Sequence, residues 1–264
     1  MLEPGYAYIR IASFSVDTGT EVKDALKKLH EENTLKGVVM DLRNNPGGVL
    51  QSAVGVVDAF ITDGLIVYTE GRVENSEMRF EASNEDPSQG VPLVVLINSG
   101  SASASEIVAG ALQDHQRAII MGTSSFGKGS VQTVLPLTND RAIKLTTALY
   151  FTPNGRSIQA KGIAPDITVD RGQVTRIPDS LISYREADLT GHLENGNESD
   201  DATEDNEEAA VIAAETQEPP EVLVRDYQLN EAVNVLKGLN IIRPRIMAES
   251  ETQLIEDIEG TSAR

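Results

Sequence analysis

Cysteine is absent from the 264-residue chain, which excludes disulfides, thiolate metal sites and a cysteine nucleophile. The absence leaves the compartment open, since it suits an oxidising envelope as well as a reducing cytosol. Histidine is scarce: His30, His115 and His192 are the whole supply, and none stands in HExxH or another ligand spacing, so no histidine metal centre is expected. Basic residues are few, 22 Lys and Arg against 41 Asp and Glu. The resulting charge of -19 argues against sequence-independent nucleic-acid binding, which needs a basic surface, and says nothing about fold. No apolar run reaches the roughly 18 residues a membrane-spanning helix needs. No charged-then-apolar signal segment opens the chain either, because Met1–Gly5 leads straight into the strand-like Tyr6–Ile11.

What is present reads as one principal domain with an appendage. Up to about Asp170, β-rich runs alternate with helical ones, the pattern of an α/β domain. Strands are expected at Tyr6–Ile11, Gly37–Leu42, Leu65–Tyr68 and Pro92–Ile97. Helices are expected over Thr20–Leu29, Val49–Phe60 and Ile107–Gln113. The last third is β-rich, at Ala118–Met121, Ser130–Leu137, Ala142–Phe151 and Ile167–Val169. The window Glu194–Glu221 then holds 11 acidic residues and no Lys or Arg, the composition of a solvated, disordered spacer. After Pro219-Pro220, the stretch Tyr227–Gly238 has helical periodicity and a glycine stop. The expected organisation is a core at 1–170, an extension packing on it at 171–193, an acidic linker at 194–221 and a C-terminal helical segment at 222–264.

Three blocks carry candidate chemistry. Gly100-Ser101-Ala102-Ser103-Ala104-Ser105-Glu106 stands where a strand hands over to a helix, a junction that exposes a hydroxyl and aims N–H groups at it. The competing account is a capping box, Ser103-x-x-Glu106. Both can hold together, and from the residues alone the nucleophile stays unassigned among three serines. Gly122-Thr123-Ser124-Ser125-Phe126-Gly127-Lys128-Gly129 nearly satisfies the phosphate-binding pattern GxxxxGK[ST]. It fails at Gly129, where magnesium would need a hydroxyl, and a strand-like run follows in place of a helix. A lysine between glycines can instead act as general base to a serine, or simply sit on the surface. Asp41-Leu42-Arg43-Asn44-Asn45-Pro46-Gly47-Gly48 lets the backbone approach a ligand closely before a helix, although such sequences are usually turns.

Together these blocks, with Gly5-Tyr6-x-Tyr8-Ile9-Arg10-Ile11, Phe126-Gly127-Lys128-Gly129-Ser130-Val131-Gln132 and Gly162-Ile163-Ala164-Pro165-Asp166, closely resemble the carboxy-terminal processing, or tail-specific, protease family. The resemblance covers about residues 5–170 and extends more loosely to Ala187–Leu193 and Asp226–Leu229. It implies a crotonase/ClpP-like core of repeated ββα units. It also implies a serine endopeptidase acting on unfolded or C-terminally tagged proteins, with Ser103 as nucleophile, Lys128 as general base and Gln132 orienting the lysine. If 128–132 is extended, residues 128, 130 and 132 share one face. The oxyanion donors implied are the N–H groups of Ala104 and Gly47. No cofactor and no metal enter. The family resemblance places the protein in the cell envelope, the periplasm of a Gram-negative host. Partners are protein or peptide substrates, with a regulatory adaptor, a homo-oligomer and membrane association of the complete protein left open. Members carry a secretion or anchoring segment, a helical region and a peptide-binding PDZ domain ahead of the first strand, so this chain is expected to be a piece of a longer one. The competing classes are a non-catalytic peptide-binding scaffold and, against the Ser–Lys–Gln set, an acyl-CoA enzyme.

Overall fold

The structure is a computed structural model, and it describes residues 1–71, 77–137, 141–173, 190–191, 193 and 220–242. The extension expected at 171–193 and the acidic linker at 194–221 lie almost wholly outside the described residues.

The expected alternation is realised as β1 (Tyr6–Arg10), α1 (Thr18–Glu32), β2 (Gly37–Asp41), α2 (Leu50–Asp58), β3 (Leu65–Gly71), β4 (Arg79–Glu81), β5 (Leu93–Ile97), α3 (Ala104–Asp114), β6 (Ile119–Gly122), β7 (Ser130–Pro136), β8 (Ala142–Phe151) and β9 (Ile167–Thr168). A short helix α4 (Glu221–Arg225) precedes α5, helical over 227–242. One sheet is parallel throughout, in the order β1-β2-β5-β6-β9. The other, β4-β3-β8-β7, is antiparallel, with β7 at its edge.

Strands β2 and β5 are buried along their whole length, as parallel strands covered on both faces must be. Their side chains divide with period two. Val38, Met40, Val95 and Ile97 join Leu26, Val56, Phe60, Ile107 and Val108 in the larger core beneath the three long helices α1, α2 and α3. Val39, Val94, Leu96 and Met121 face the opposite way and are covered by Leu229, Ala232, Val233 and Leu236 of α5. That 229-232-233-236 spacing is the apolar stripe of an amphipathic helix. Burying Leu229, Val233 and Leu236 contributes roughly 5–9 kcal/mol before ordering costs, so the appendage is a third layer of the core.

Helix α5 runs past the expected stop at Gly238, because Leu239 beyond the glycine still packs on this second core. Its contact outweighs the cost of about 1 kcal/mol for glycine inside a helix. A polar lock reinforces the docking. Arg43 Nη1 and Nη2 donate to Asp226 at 2.9 and 2.7 Å, Nε and Nη2 donate to Asp41 at 2.9 and 2.7 Å, and Nη1 also reaches Gln228 at 2.9 Å. Gln228 in turn donates to the Val169 carbonyl at 2.6 Å.

Candidate active site

The three motif blocks converge at the C-terminal ends of β2 and β5, the edge at which open parallel sheets place their ligands. Helix α3 begins at Ala104, three residues earlier than its apolar periodicity predicts, because Ser103 is its N-cap. Ser103 has φ 57°, a left-handed conformation that costs a non-glycine residue about 1–3 kcal/mol. It turns the chain sharply between strand and helix.

The surroundings separate the three serines. Ser101 is fully buried; its hydroxyl donates to the Leu42 carbonyl at 2.8 Å and accepts from Asn98 N–H at 3.0 Å. Ser105 is equally buried and donates to the Asn45 carbonyl at 3.0 Å. Ser103 alone is partly exposed. A capping box does close over the helix start, so the structural and chemical readings of this serine coexist. A hydroxyl that accepts from an N–H keeps its own proton for a base.

Glu106 is fully buried and gathers the site. Its Oε2 accepts the backbone N–H of Ser103 at 2.7 Å and that of Lys128 at 2.8 Å. Its Oε1 accepts Gly127 N–H and the Ser125 hydroxyl, each at 2.6 Å. The amides of Ser103 and Lys128 therefore sit on one oxygen, no farther apart than those two bonds allow. Sequence reasoning saw Glu106 only as a cap; the loop it also holds lies 19 to 22 residues on.

Lys128 lies in that loop, two residues before β7, and is half-buried. Its ammonium has no ion-pair partner among the described residues. Ile163 N–H donates to Ser125 Oγ at 2.7 Å and Ser125 N–H to the Ile163 carbonyl at 3.1 Å, so the Gly162–Asp166 motif buttresses the lysine loop. Gln132 is exposed, within β7 and paired with Thr146. The strand starts at Ser130, as expected, so Lys128 stands ahead of it, the condition for a shared face of 128, 130 and 132 is not met, and among the described residues no hydrogen bond joins Lys128 to Gln132.

The turn after β2 comes against the serine. Buried Asn45 donates to the Ile11 carbonyl at 2.7 Å, while its own carbonyl accepts Ala102 N–H at 2.9 Å. Gly47, at φ 100°, passes so close that a Cβ there would lie 2.8 Å from Ser103 Cβ and 3.0 Å from Ala104 N. Its N–H is engaged within the turn. It donates to Asn45 Oδ1 at 2.9 Å. Gly47 thus comes close to the serine, with its amide engaged inside its own Asx turn. Ala104 N–H stands at the first turn of α3, directly after Ser103.

Sequence and structure comparisons extend this geometry to known proteins. The model of peptidase family S41 matches residues 5–169. A carboxy-terminal-processing protease of Bartonella bacilliformis is 45% identical over 240 residues, covering 90% of this chain and 53% of that protein. A carboxyl-terminal-processing protease of Synechocystis sp. is 43% identical over 164 residues, covering 62% and 38%. The chain thus spans about half, or less, of these relatives' length. Among solved structures, a photosystem II D1 C-terminal processing protease superposes with TM-score 0.57 at 36% identity, covering 62% of this chain and 42% of that one. A lipoprotein from Streptococcus agalactiae, TM-score 0.52 at 19% identity over 64% of this chain and 63% of its own, shares the mixed α/β fold. With the matched region holding the serine, lysine and asparagine-glycine motifs that meet at one sheet edge, the chain belongs to peptidase family S41.

Proposed function

We propose that the chain is the catalytic core of a serine endopeptidase that cleaves unfolded or C-terminally tagged proteins through Ser103 and Lys128. The observation that carries this reading is the shared carboxylate oxygen, which fixes the backbone of the one partly exposed serine against that of a lysine with no ion-pair partner.

In the proposed reaction the deprotonated Lys128 amine takes the Ser103 proton as Oγ attacks a peptide carbonyl. The Ala104 N–H, at the positive end of α3, stabilises the oxyanion. The amine leaving group departs with a proton from Lys128, and water then releases the acyl-enzyme. Gln132 is read as the residue that orients the lysine, and the Gly47 N–H as the second oxyanion donor on opening of its Asx turn. The core is read as crotonase/ClpP-like, on the alternation of strands and helices in the parallel sheet. Its setting is the cell envelope, with protein substrates as partners, and no helix among the described residues is long and apolar enough to cross a membrane.

A time course of cleavage of an unfolded protein, run beside Ser103→Ala and Ser101→Ala, tests the assignment. Loss of turnover by Ser103→Ala with retention by a folded Ser101→Ala is the expected result; unchanged turnover by Ser103→Ala overturns it.

A further inference from the structure

The loop that carries Lys128 presents one side chain that the proposed reaction does not use. Phe126 is 67% exposed, whereas Phe14 and Phe60 are buried and Phe80 and Phe151 are partly buried. Phe151 stacks on Tyr68, but the Phe126 ring has neither an aromatic nor a cationic partner among the described residues. One exposed apolar residue is ordinary on a protein surface. What sets this one apart is the hold on its backbone.

Phe126 is pinned on both sides and from behind. Its N–H donates to the Ser101 carbonyl at 3.0 Å. Ser125 before it gives its hydroxyl, and Gly127 after it gives its N–H, to the same Glu106 oxygen, each at 2.6 Å. Gly127, buried and at φ 91°, lies so close to the next turn that a Cβ there would stand 3.1 Å from Gly162 N and 3.2 Å from Lys161 N. The loop therefore holds a large apolar ring in water, and covering that ring would be favourable. A ring on a fixed backbone has only two torsions left to order, so it binds at low entropic cost.

Its position names the partner. Ser101, which accepts from Phe126, stands two residues before Ser103, and Glu106, which accepts from both neighbours of Phe126, also accepts the Ser103 N–H at 2.7 Å. The Phe126 backbone is thus tied to the serine loop on either side of Ser103. Residues of an extended chain are about 3.3 Å apart, so a polypeptide attacked at Ser103 brings the side chains next to that carbonyl alongside this loop.

We propose that Phe126 is a specificity-determining residue whose ring takes up an apolar side chain next to the scissile bond. The scissile bond rests on the peptidase reading; the apolar contact rests on the exposed ring and its pinned backbone.

The test is an NMR titration of the full chain carrying Ser103→Ala, labelled with ¹⁵N and with ring-¹³C phenylalanine. Five phenylalanines give a sparse spectrum, and Phe126→Leu identifies the signal. The probes are acetyl-Ala-Ala-Leu-Ala-Ala-amide and the same peptide with Ser or Lys in place of Leu. The Phe126 signal should move saturably with the Leu peptide, at least about fivefold more tightly than with the Ser peptide, part of what burying a leucine yields. Followed by the Lys128 amide, Phe126→Ala should bring the Leu peptide down to the level of the Ser peptide, and Phe126→Leu should keep the difference. In the chain with Ser103 intact, Phe126→Ala should cut bonds flanked by large apolar residues at least about fivefold less well than other bonds, through KM more than kcat. An unmoved Phe126 signal, or equal weakening of the Leu and Ser peptides by Phe126→Ala, overturns the proposal. Tighter binding of the Lys peptide than of the Leu peptide overturns the apolar class in favour of a cation on the ring. Unchanged site preference in an active Phe126→Ala chain overturns the role in specificity and leaves the peptidase reading standing. Because the titration needs no turnover, inertness toward substrate counts against the peptidase reading alone, with the apolar contact still decided by the peptides.

Discussion

Three serines within five residues meet three fates, decided by what surrounds each hydroxyl. In a buried layer the Ser101 hydroxyl bridges the Asn98 N–H and the Leu42 carbonyl, and the Ser105 hydroxyl donates to the Asn45 carbonyl. Replacing either by alanine should lower stability by about 1–3 kcal/mol, because a buried partner loses its bond, while leaving cleavage in place; urea denaturation and the cleavage assay check both halves. Glu106 is the more consequential side chain. Its four donors ask for four acceptor lone pairs, and an amide at that position turns one end into a donor facing donors. Glu106→Gln should therefore cost about 2–4 kcal/mol of stability and at least about a hundredfold in turnover, since a shift of about 1 Å at the site has that effect. Near-normal turnover by Glu106→Gln would show that the shared oxygen does not set the geometry.

Among the elements, the turn between β2 and α2 matters most for the site. Gly47→Ala would put a methyl 2.7 Å from the Ala102 carbonyl oxygen and 2.8 Å from Ser103 Cβ, at φ 100°. Both neighbours are pinned by hydrogen bonds, so the serine must yield. A folded Gly47→Ala chain should retain substrate affinity and lose about a hundredfold in turnover, read as kcat against KM. Much of this was legible beforehand. Apolar runs and periodicity marked β2, β5 and α1 closely, since burial on both faces or on one leaves a plain pattern. The Asn-Pro-Gly-Gly turn was visible as a place of close approach. Its use of the Gly47 amide was not, because an Asx turn and an oxyanion donor look alike in sequence. The start of α3 was misjudged by three residues because small residues carry no periodicity. The link from Glu106 to Lys128, and that from Arg43 to Asp226 across 183 residues, depend on topology that no local window contains.

For the molecule as a whole, the three layers are held by apolar burial, with charge setting the pH range. Burial alone would raise the Asp226 carboxyl; the hydrogen bonds from Arg43 outweigh it and hold the group below its ordinary 3.8. The folded state thus binds this proton more weakly than the unfolded one, so the stabilisation is whole above the ordinary value and is lost as pH falls through the depressed one. Tyr8 behaves in the opposite sense. Burial first, then the Asp41 carboxylate, push its phenol up to about 12 from 10.0, so its contribution is lost as pH rises through that interval. Urea midpoints should be flat from roughly pH 5 to 9 and fall on both sides, with Tyr8→Phe removing part of the alkaline slope. Asp226→Asn should cost about 1 kcal/mol, its carboxylate being partly solvated, whereas Arg43→Met should cost about 3–5 kcal/mol by stranding buried Asp41.

The cover that α5 provides also sets an order in time. The sheet face of Val39, Val94, Leu96 and Met121 is closed by residues from the far end of the chain. At ribosomal rates of about 5–20 residues per second, the interval between making Arg43 and making its partner Asp226 is about 10–40 s. For that interval the nascent sheet carries an open apolar face. The molecule's vulnerability to misassembly is thus greatest before α5 leaves the ribosome.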